Sequence, residues 1–365
     1  MKLSIIILNY NVRYFLDLCL QSVQAAITNL DAEIIVVDNL SADDSCAMVK
    51  QKYPNVKLIE NKENSGFSKG NNIGVAQAKG EYICILNPDV VVAEDTFSKI
   101  LKFAEQQEQL GAVACRLIDG SGNYLPESKR NVPVVKVAIQ KMIGYAKNYY
   151  NNNLQEDEVG ETDILVGAFM FLKKEVYNEV NGFDEDYFMY GEDVDLSYKI
   201  LKAGYQNFYF GETTIIHYKG ESTLKDAEYA KRFYGAMQIF YMKHFKSNVV
   251  FDTLVWLGIE FAIRFRKAST IELKTINNYA VFTYNEDLSF IKKLPFQAYK
   301  VNDVKNIKPN AEVVFDANTL SYKEIIGYFL QLQKNNTHTF KIIPKSSNFI
   351  IGSNDSQNRG EILHF

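Results

Sequence analysis

Two acidic groups in this chain have the type and setting to do chemistry. Asp89 closes the run Asn87-Pro88-Asp89, directly after an apolar stretch, and Glu192-Asp193 opens a segment of helical period. A carboxylate at the end of a strand can hold a divalent cation. A carboxylate at the start of a helix is kept ionised by the macrodipole, as a proton acceptor must be. Together they suit group transfer from a phosphate leaving group to a hydroxyl, with the cation offsetting phosphate charge and the base taking the hydroxyl proton. Each has a bland alternative: Glu192, Asp193 and Asp195 could merely cap their helix, and a lone histidine such as His217 is usually structural. Arg130, in Lys129-Arg130-Asn131-Val132-Pro133, could meet a phosphate or lie in a solvated loop.

The positioning elements are strands alternating with helices. Residues 3–8 form a continuous β-branched run, as in a strand covered on both faces. Residues 12–27 follow a helical period with Phe15, Leu16, Cys19, Leu20, Val23 and Ile27 on one face. Strands are predicted at 33–38, 56–60 and 81–86. Ser41 is a candidate helix cap with Asp44 three residues on, and 64–74 enters a short helix. The pattern loosens from 125 to 161, and the Asn-rich stretch 148–153 reads as a mobile loop. A strand with Gly167 inside it follows at 163–172, then a turn at Gly182-Phe183-Asp184 and a helix over 194–203 closed by Gly204. Short strands at 205–210 and 214–217 and a helix at 227–245 complete this part. Such alternation predicts an α/β fold with a doubly wound, mostly parallel sheet.

In open sheets of this kind, ligands bind beyond the carboxyl ends of the strands. That rule gathers Asn9-Tyr10-Asn11, Asp38-Asn39, residues 64–72 and Asn87-Pro88-Asp89 on one edge. Any one of these is weak evidence, since Asp38 alone could be a turn residue. Ser65-Gly66-Phe67-Ser68-Lys69-Gly70 lacks the GxxxxGK[ST] spacing of a triphosphate loop.

The 365 residues are 47% hydrophobic and 23% charged, enough for a sizeable core and about two domains. A net charge of -4 gives no reason to expect a nucleic-acid partner. Four scattered cysteines, with no CxxC pair, fit a reducing cytoplasm. The first eight residues are too short for a signal peptide, and no apolar run reaches membrane-spanning length. Residues 249–267 would form a helix whose polar residues Asp252, Thr253, Glu260, Arg264 and Lys267 share one narrow sector. Its wide apolar face would pack on the enzyme core, meet a second copy, or lie in a membrane surface. The tail repeats the alternation, with strands at 279–283, 297–301, 312–316 and 339–343 and a helix at 322–334. The expected organisation is thus 1–245, a helical linker over 246–270, and a small Rossmann-like α/β module over 271–365. That module has no GxGxxG, and recognition or oligomerisation is its default role.

The strings SIIILNYN, VVDN, NKENSGFSKGNNIG, ILNPDV and GFDEDYFMYGEDVDLSYKILKAG, in that order, resemble family 2 glycosyltransferases with a GT-A fold. They are most similar to the rhamnosyltransferase-like branch that builds bacterial surface polysaccharides. The resemblance covers about residues 1–245. It implies an inverting transfer of a hexose or deoxyhexose from a nucleotide-diphosphate sugar to a glycan or lipid-linked acceptor. It further implies Asp193 as base beside Glu192, and Mg2+ or Mn2+ held by Asp89 and His217. Donor contacts would come from Asn9, Tyr10, Asn11, Asp38, Asn64, Gly66, Lys69, Gly70, Asn71 and Asn87. Asn87 stands where the metal-binding signature has its first acid, a neutral and weaker ligand. The segments 341–344, 349–353 and 359–361 resemble the truncated Rossmann-like tail of some bacterial glycosyltransferases. Such an enzyme would be cytoplasmic, or peripheral at the inner membrane face. The alternatives are a non-catalytic nucleotide-sugar binding protein on the same fold, and a sugar nucleotidyltransferase. The second lacks its glycine-rich, basic motif at the first strand.

Overall fold

The computed structural model describes residues 1–142, 145–220, 227–245, 274–286, 289, 291–334, 337–355 and 358–365. The first half of the main sheet is parallel. β1 (Leu3–Asn9) lies between β2 (Ala32–Asp38) and β4 (Tyr82–Leu86), and β3 (Lys57–Glu60) pairs with β2. Helices α1 (Arg13–Ala26), α2 (Ser45–Lys52) and α3 (Gly66–Ala76) make the crossovers. Fully buried Ile5, Ile6 and Ile7 on β1 explain its unbroken apolar run, because both faces are covered.

The chain continues through β5 (Val90–Val91), α4 (Thr96–Ala104), β6 (Leu110–Ile118), α5 (Val135–Met142), β7 (Val159–Glu161) and β8 (Phe169–Lys173). Then come α6 (Lys174–Glu179), α7 (Glu192–Lys202), β9 (Gln206–His217) and α8 (Ala227–His244). The nine-stranded sheet runs β3-β2-β1-β4-β8-β6-β9-β5, with β7 on β9. β8 pairs antiparallel to both β4 and β6.

A second, six-stranded sheet runs β11-β10-β12-β13-β14-β15. Its strands are β10 (Asn278–Phe282), β11 (Ala298–Val301), β12 (Ala311–Asp316), β13 (Thr339–Ile343), β14 (Phe349–Gly352) and β15 (Glu361–His364), with helix α9 (Tyr322–Gln333) between β12 and β13. Ser321 and Glu324 close a capping box at the start of α9. The two sheets share one apolar cluster, in which Phe15, Val91, Ile216 and Tyr218 meet Phe282, Phe315, Phe329 and Phe349. Glu94 joins this seam by accepting hydrogen bonds from the backbone N–H of Tyr322 (2.8 Å) and Lys323 (2.9 Å).

Several local expectations change. Ser41 caps no helix: α2 starts at Ser45, after Asp44, and the Ser41 hydroxyl accepts from Asn9 and from the backbone of Asn11. The strand expected at 163–172 begins only at Phe169, and Gly167 lies in the turn before it. The two strands expected at 205–217 are one strand, β9, with a register shift opposite Cys115/Arg116. Stretch 148–153 is an ordered part of the fold, with Tyr149 and Asn151 buried and bonded through their backbones to Asn131 and Lys129. Helix α4 and strands β6, β14 and β15 add to the elements read from the sequence. The helix expected at 249–267 lies outside the described residues. Among the described residues, no helix is long and apolar enough to cross a membrane.

Candidate active site

The ends of β1, β2 and β4, the start of α3 and the start of α7 converge on one cavity of about 560 Å³. Four of the ten predicted donor residues line it: Tyr10, Asn64, Gly66 and Asn87. The other six stand behind or outside the wall. Asp38 is buried, accepts from Asn9 Nδ2 (2.7 Å) and from the backbone N–H of Ser41 (2.8 Å), and so braces β1 to β2. Asn11 adopts a left-handed φ of 56° and accepts from the Ala42 N–H (2.7 Å), fixing the turn after β1. Lys69 points outward to Glu63 (3.2 Å). Gly70 packs on Leu8, and Asn71 donates to the Phe67 carbonyl (3.0 Å). The wall residue at this corner is Asn39, which follows Asp38. Its Nδ2 donates to the Gly66 carbonyl (2.9 Å), and its Oδ1 accepts from Ser65 Oγ (2.9 Å) and Asn61 Nδ2 (2.8 Å).

Asp89 and His217 are brought together by strand pairing. Val90 pairs with His217, and the Tyr218 N–H donates to the Asp89 carbonyl (3.0 Å). Their side chains then meet, with Asp89 Oδ1 3.4 Å from His217 Nε2, and both residues are buried. Asp89 Oδ1 and His217 Nδ1 have no hydrogen-bond partner. The imidazole nitrogen beside Asp89 is Nε2, which also lies 3.4 Å from Asn87 Nδ2. One carboxylate oxygen and one imidazole nitrogen form a donor set that Mn2+ accepts and that Mg2+ accepts less readily. Among the described residues, no group of three or more His, Cys, Asp or Glu could hold a metal. A cation here would take its remaining ligands from phosphate oxygens or water.

The opposite wall carries Glu192 and Asp193. Gly191, at φ 79°, turns the chain into α7 and leaves both acids in the first turn. Asp193 Oδ2 accepts from Arg130 Nη2 (2.7 Å) and from the Gly167 N–H (3.1 Å), and Oδ1 accepts from the Val194 N–H (2.8 Å). Burial opposes the charge on Arg130, but Asp193 and Tyr149 outweigh it and raise its pKa. Glu192 is pushed well above the ordinary carboxylate range by burial and then by the charge on Asp193, which favours its protonated form. Asp195 faces the other way, fully buried against His244 Nε2 (2.6 Å) and Lys243 Nζ (3.0 Å), and ties α7 to α8.

Arg130 was ambiguous in the sequence, and the structure places it at the centre of this wall. Its N–H donates to the Ile164 carbonyl (3.0 Å), and its carbonyl accepts from the Ile164 N–H (2.9 Å). Its guanidinium also donates to the Leu165 carbonyl. Glu127, Lys141, Tyr149, Tyr150 and Lys219 line the same cavity, and Lys219 is ion-paired with Glu127. Lys141 lies on α5 and Lys219 just after β9, and neither was flagged by the sequence.

The Arg130–Asp193 pair has side chains only 8% and 13% exposed. Breaking such a pair leaves a buried charge without its partner, so Arg130→Gln should lower stability by about 3 kcal/mol in urea unfolding. Combined with Asp193→Asn it should cost less than the sum of the single variants, and strict additivity would mean the pair is not coupled.

Comparison with known proteins extends this geometry. The model described as glycosyl transferase family 2 matches residues 4–180. The match runs from the first strand to the end of α6, just under half of the chain. A second model, described as the N-terminal domain of galactosyltransferase, matches residues 159–234, the stretch that holds Glu192, Asp193 and His217. The N-acetylglucosaminyl-diphospho-decaprenol L-rhamnosyltransferase of Mycobacterium tuberculosis is 27% identical over 241 residues, covering 61% of this chain and 78% of that protein. Rhamnosyltransferase WbbL of Escherichia coli is 32% identical over 162 residues, covering 42% of this chain and 61% of the relative. Among solved structures, mannosyltransferase PcManGT from Pyrobaculum calidifontis, in complex with GDP-Man and Mn2+, aligns with a TM-score of 0.49 at 19% identity, covering 73% of this chain and 70% of that one. This glycosyltransferase is thus similar to rhamnosyltransferases, and its larger sheet is mixed, with a parallel first half in an α/β arrangement.

Proposed function

We propose that this glycosyltransferase moves a hexose or deoxyhexose from a nucleotide-diphosphate donor to a glycan or lipid-linked acceptor, with inversion, in cell-surface polysaccharide synthesis. The observation that carries the reading is the shared cavity, with Asp193 on one wall and the Asp89–His217 pair on another. The nucleotide end of the donor would lie along Tyr10, Asn39 and Asn64. Its diphosphate would reach Asp89 and His217, where Mg2+ or Mn2+, when bound, offsets the charge of the leaving group.

Asp193 takes the proton in this scheme. Its Oδ2 already accepts two hydrogen bonds, whereas Oδ1 accepts one from its own backbone neighbour. An acceptor hydroxyl at Oδ1 passes its proton there as its oxygen forms the new bond to the anomeric carbon. The bond to the diphosphate breaks, and its electron pair leaves with the phosphate oxygen. Attack opposite the leaving group inverts the centre. Glu192, in its protonated form, can donate a hydrogen bond to a sugar hydroxyl and adds no second negative charge beside the base.

The reading is tested with UDP-, dTDP- and GDP-sugars in the presence of Mn2+. At least one should raise the melting temperature and be slowly hydrolysed. A chelator should abolish that hydrolysis, and excess Mn2+ should restore it. No stabilisation by any donor would sink the donor assignment, and full activity in chelator would sink the metal.

A further inference from the structure

A second cavity, of about 530 Å³, opens between the two sheets and shares no lining residue with the one that holds Asp193. From the first sheet's side come Arg13 and Tyr14 at the start of α1 and Lys52 at the end of α2. From the second come Ser346 and Asn348, in the loop between β13 and β14, and His364 at the end of β15. No carboxylate among the described residues lines this cleft, although the whole chain carries a net charge of -4. Lys52 Nζ is held by Asp17 (2.6 Å), whose side chain is only 3% exposed. Arg13 is different. Its backbone N–H donates to Asp43 (3.0 Å), but its guanidinium has no hydrogen-bond or ion-pair partner among the described residues, the buried Nε included. The guanidinium lies instead 4.6 Å from the centre of the Tyr14 ring. That ring meets Phe349 (4.9 Å) and His364 (5.2 Å) edge-on. The platform under the unspent cation is therefore built from both sheets.

We propose that this cleft is a second ligand site, separate from the catalytic cavity, for a small organic phosphate monoester that bridges the two sheets. A planar guanidinium held on a ring is a ready partner for two oxygens of one anion. A carboxylate would be satisfied by that fork alone. A phosphate monoester carries nearly two negative charges and a third free oxygen, which matches the two cations and leaves an acceptor for Ser346 or Asn348. The volume falls within the range of small-molecule sites, about 300–1,000 Å³, and leaves room for an organic group beyond the phosphate. A ligand seated here touches α1 and α2 on one side and the β13–β14 loop on the other, so its binding energy adds to the joint between the sheets.

Glucose 6-phosphate is the probe, titrated calorimetrically into the full chain. It should bind and raise the melting temperature, glucose should do neither, and UDP with Mn2+ should fail to displace it. Arg13→Gln should weaken binding about tenfold or more, the scale of a lost hydrogen bond to a charged group. Asn348→Asp, on the second sheet's side, should weaken it as well by setting a carboxylate beside the phosphate. Exposed Lys102 on α4 is outside the cleft, so Lys102→Gln, which removes the same charge, should bind as the parent does. Inorganic phosphate should bind more weakly than the ester. Equal or tighter binding of inorganic phosphate would mark a site for the bare anion and overturn the proposal. So would displacement by UDP, parental affinity in both Arg13→Gln and Asn348→Asp, or no binding by the parent. Melting curves without ligand report separately on the folding of each variant.

Discussion

Asp193→Asn should lower the transfer rate roughly a thousandfold, the usual scale for losing a general base. The amide cannot take the acceptor's proton, although it occupies the same space. The change also removes the counter-charge of buried Arg130, so some stability is lost with it. The two effects separate by measurement. Donor-induced stabilisation should persist in the variant, because the proposed donor corner at Asn39, Asn64 and Asp89 is untouched. A rate within tenfold of the parent, with the variant folded, would remove Asp193 from the role of base.

Gly66→Ala should cost about 2–3 kcal/mol in urea unfolding and weaken donor binding in parallel. Gly66 sits at φ 76°, and an added Cβ would lie 2.5 Å from the Phe188 carbonyl oxygen and 2.7 Å from its ring. The adjoining Phe67 N–H donates to that same carbonyl (2.7 Å). The donor loop and the loop that leads into α7 are therefore held in one contact, and a methyl group there pushes them apart. Gly204→Ala is the control. Gly204 has φ 93° with nothing within 4 Å of the added Cβ, so it bears only the backbone cost of about 1 kcal/mol. Equal losses in the two variants would show that the loop contact is not what matters at Gly66.

The legible half of the site is the half built at strand ends. Asp89 follows an apolar run whose length marks where the chain must turn, Asn64 and Gly66 follow the short strand β3, and Glu192-Asp193 opens a clear helical period. His217 was readable as a candidate, but its meeting with Asp89 depends on the pairing of β5 with β9, a two-residue contact that no periodicity announces. Asn9, Asn11 and Asp38 carried the right strand-end signal, yet their side chains are spent on holding the turns, which leaves Asn39 to face the cavity. Arg130, Lys141 and Tyr149 were the least legible. Their segment is held by isolated backbone bonds to distant partners such as Ile164, and polar Asn-rich sequence reads as loop whether it is mobile or pinned. The irregularity in β9 hid its continuity for a related reason: three residues of the strand stand between the partners of Cys115 and Arg116, and the period-two pattern on which a strand is recognised breaks there.

The seam between the two sheets has a consequence for inheritance and for engineering alike. Tyr218, the residue after His217, is fully buried in the cluster shared with Phe329 and Phe349. Lesions deep in the second sheet would therefore present as impaired enzymes, their origin invisible to anyone inspecting only the cavity. Swapping that sheet for one from a distant relative would also transplant half of an apolar joint without its mate. Chimeras of this glycosyltransferase are better cut through surface loops than between its two sheets.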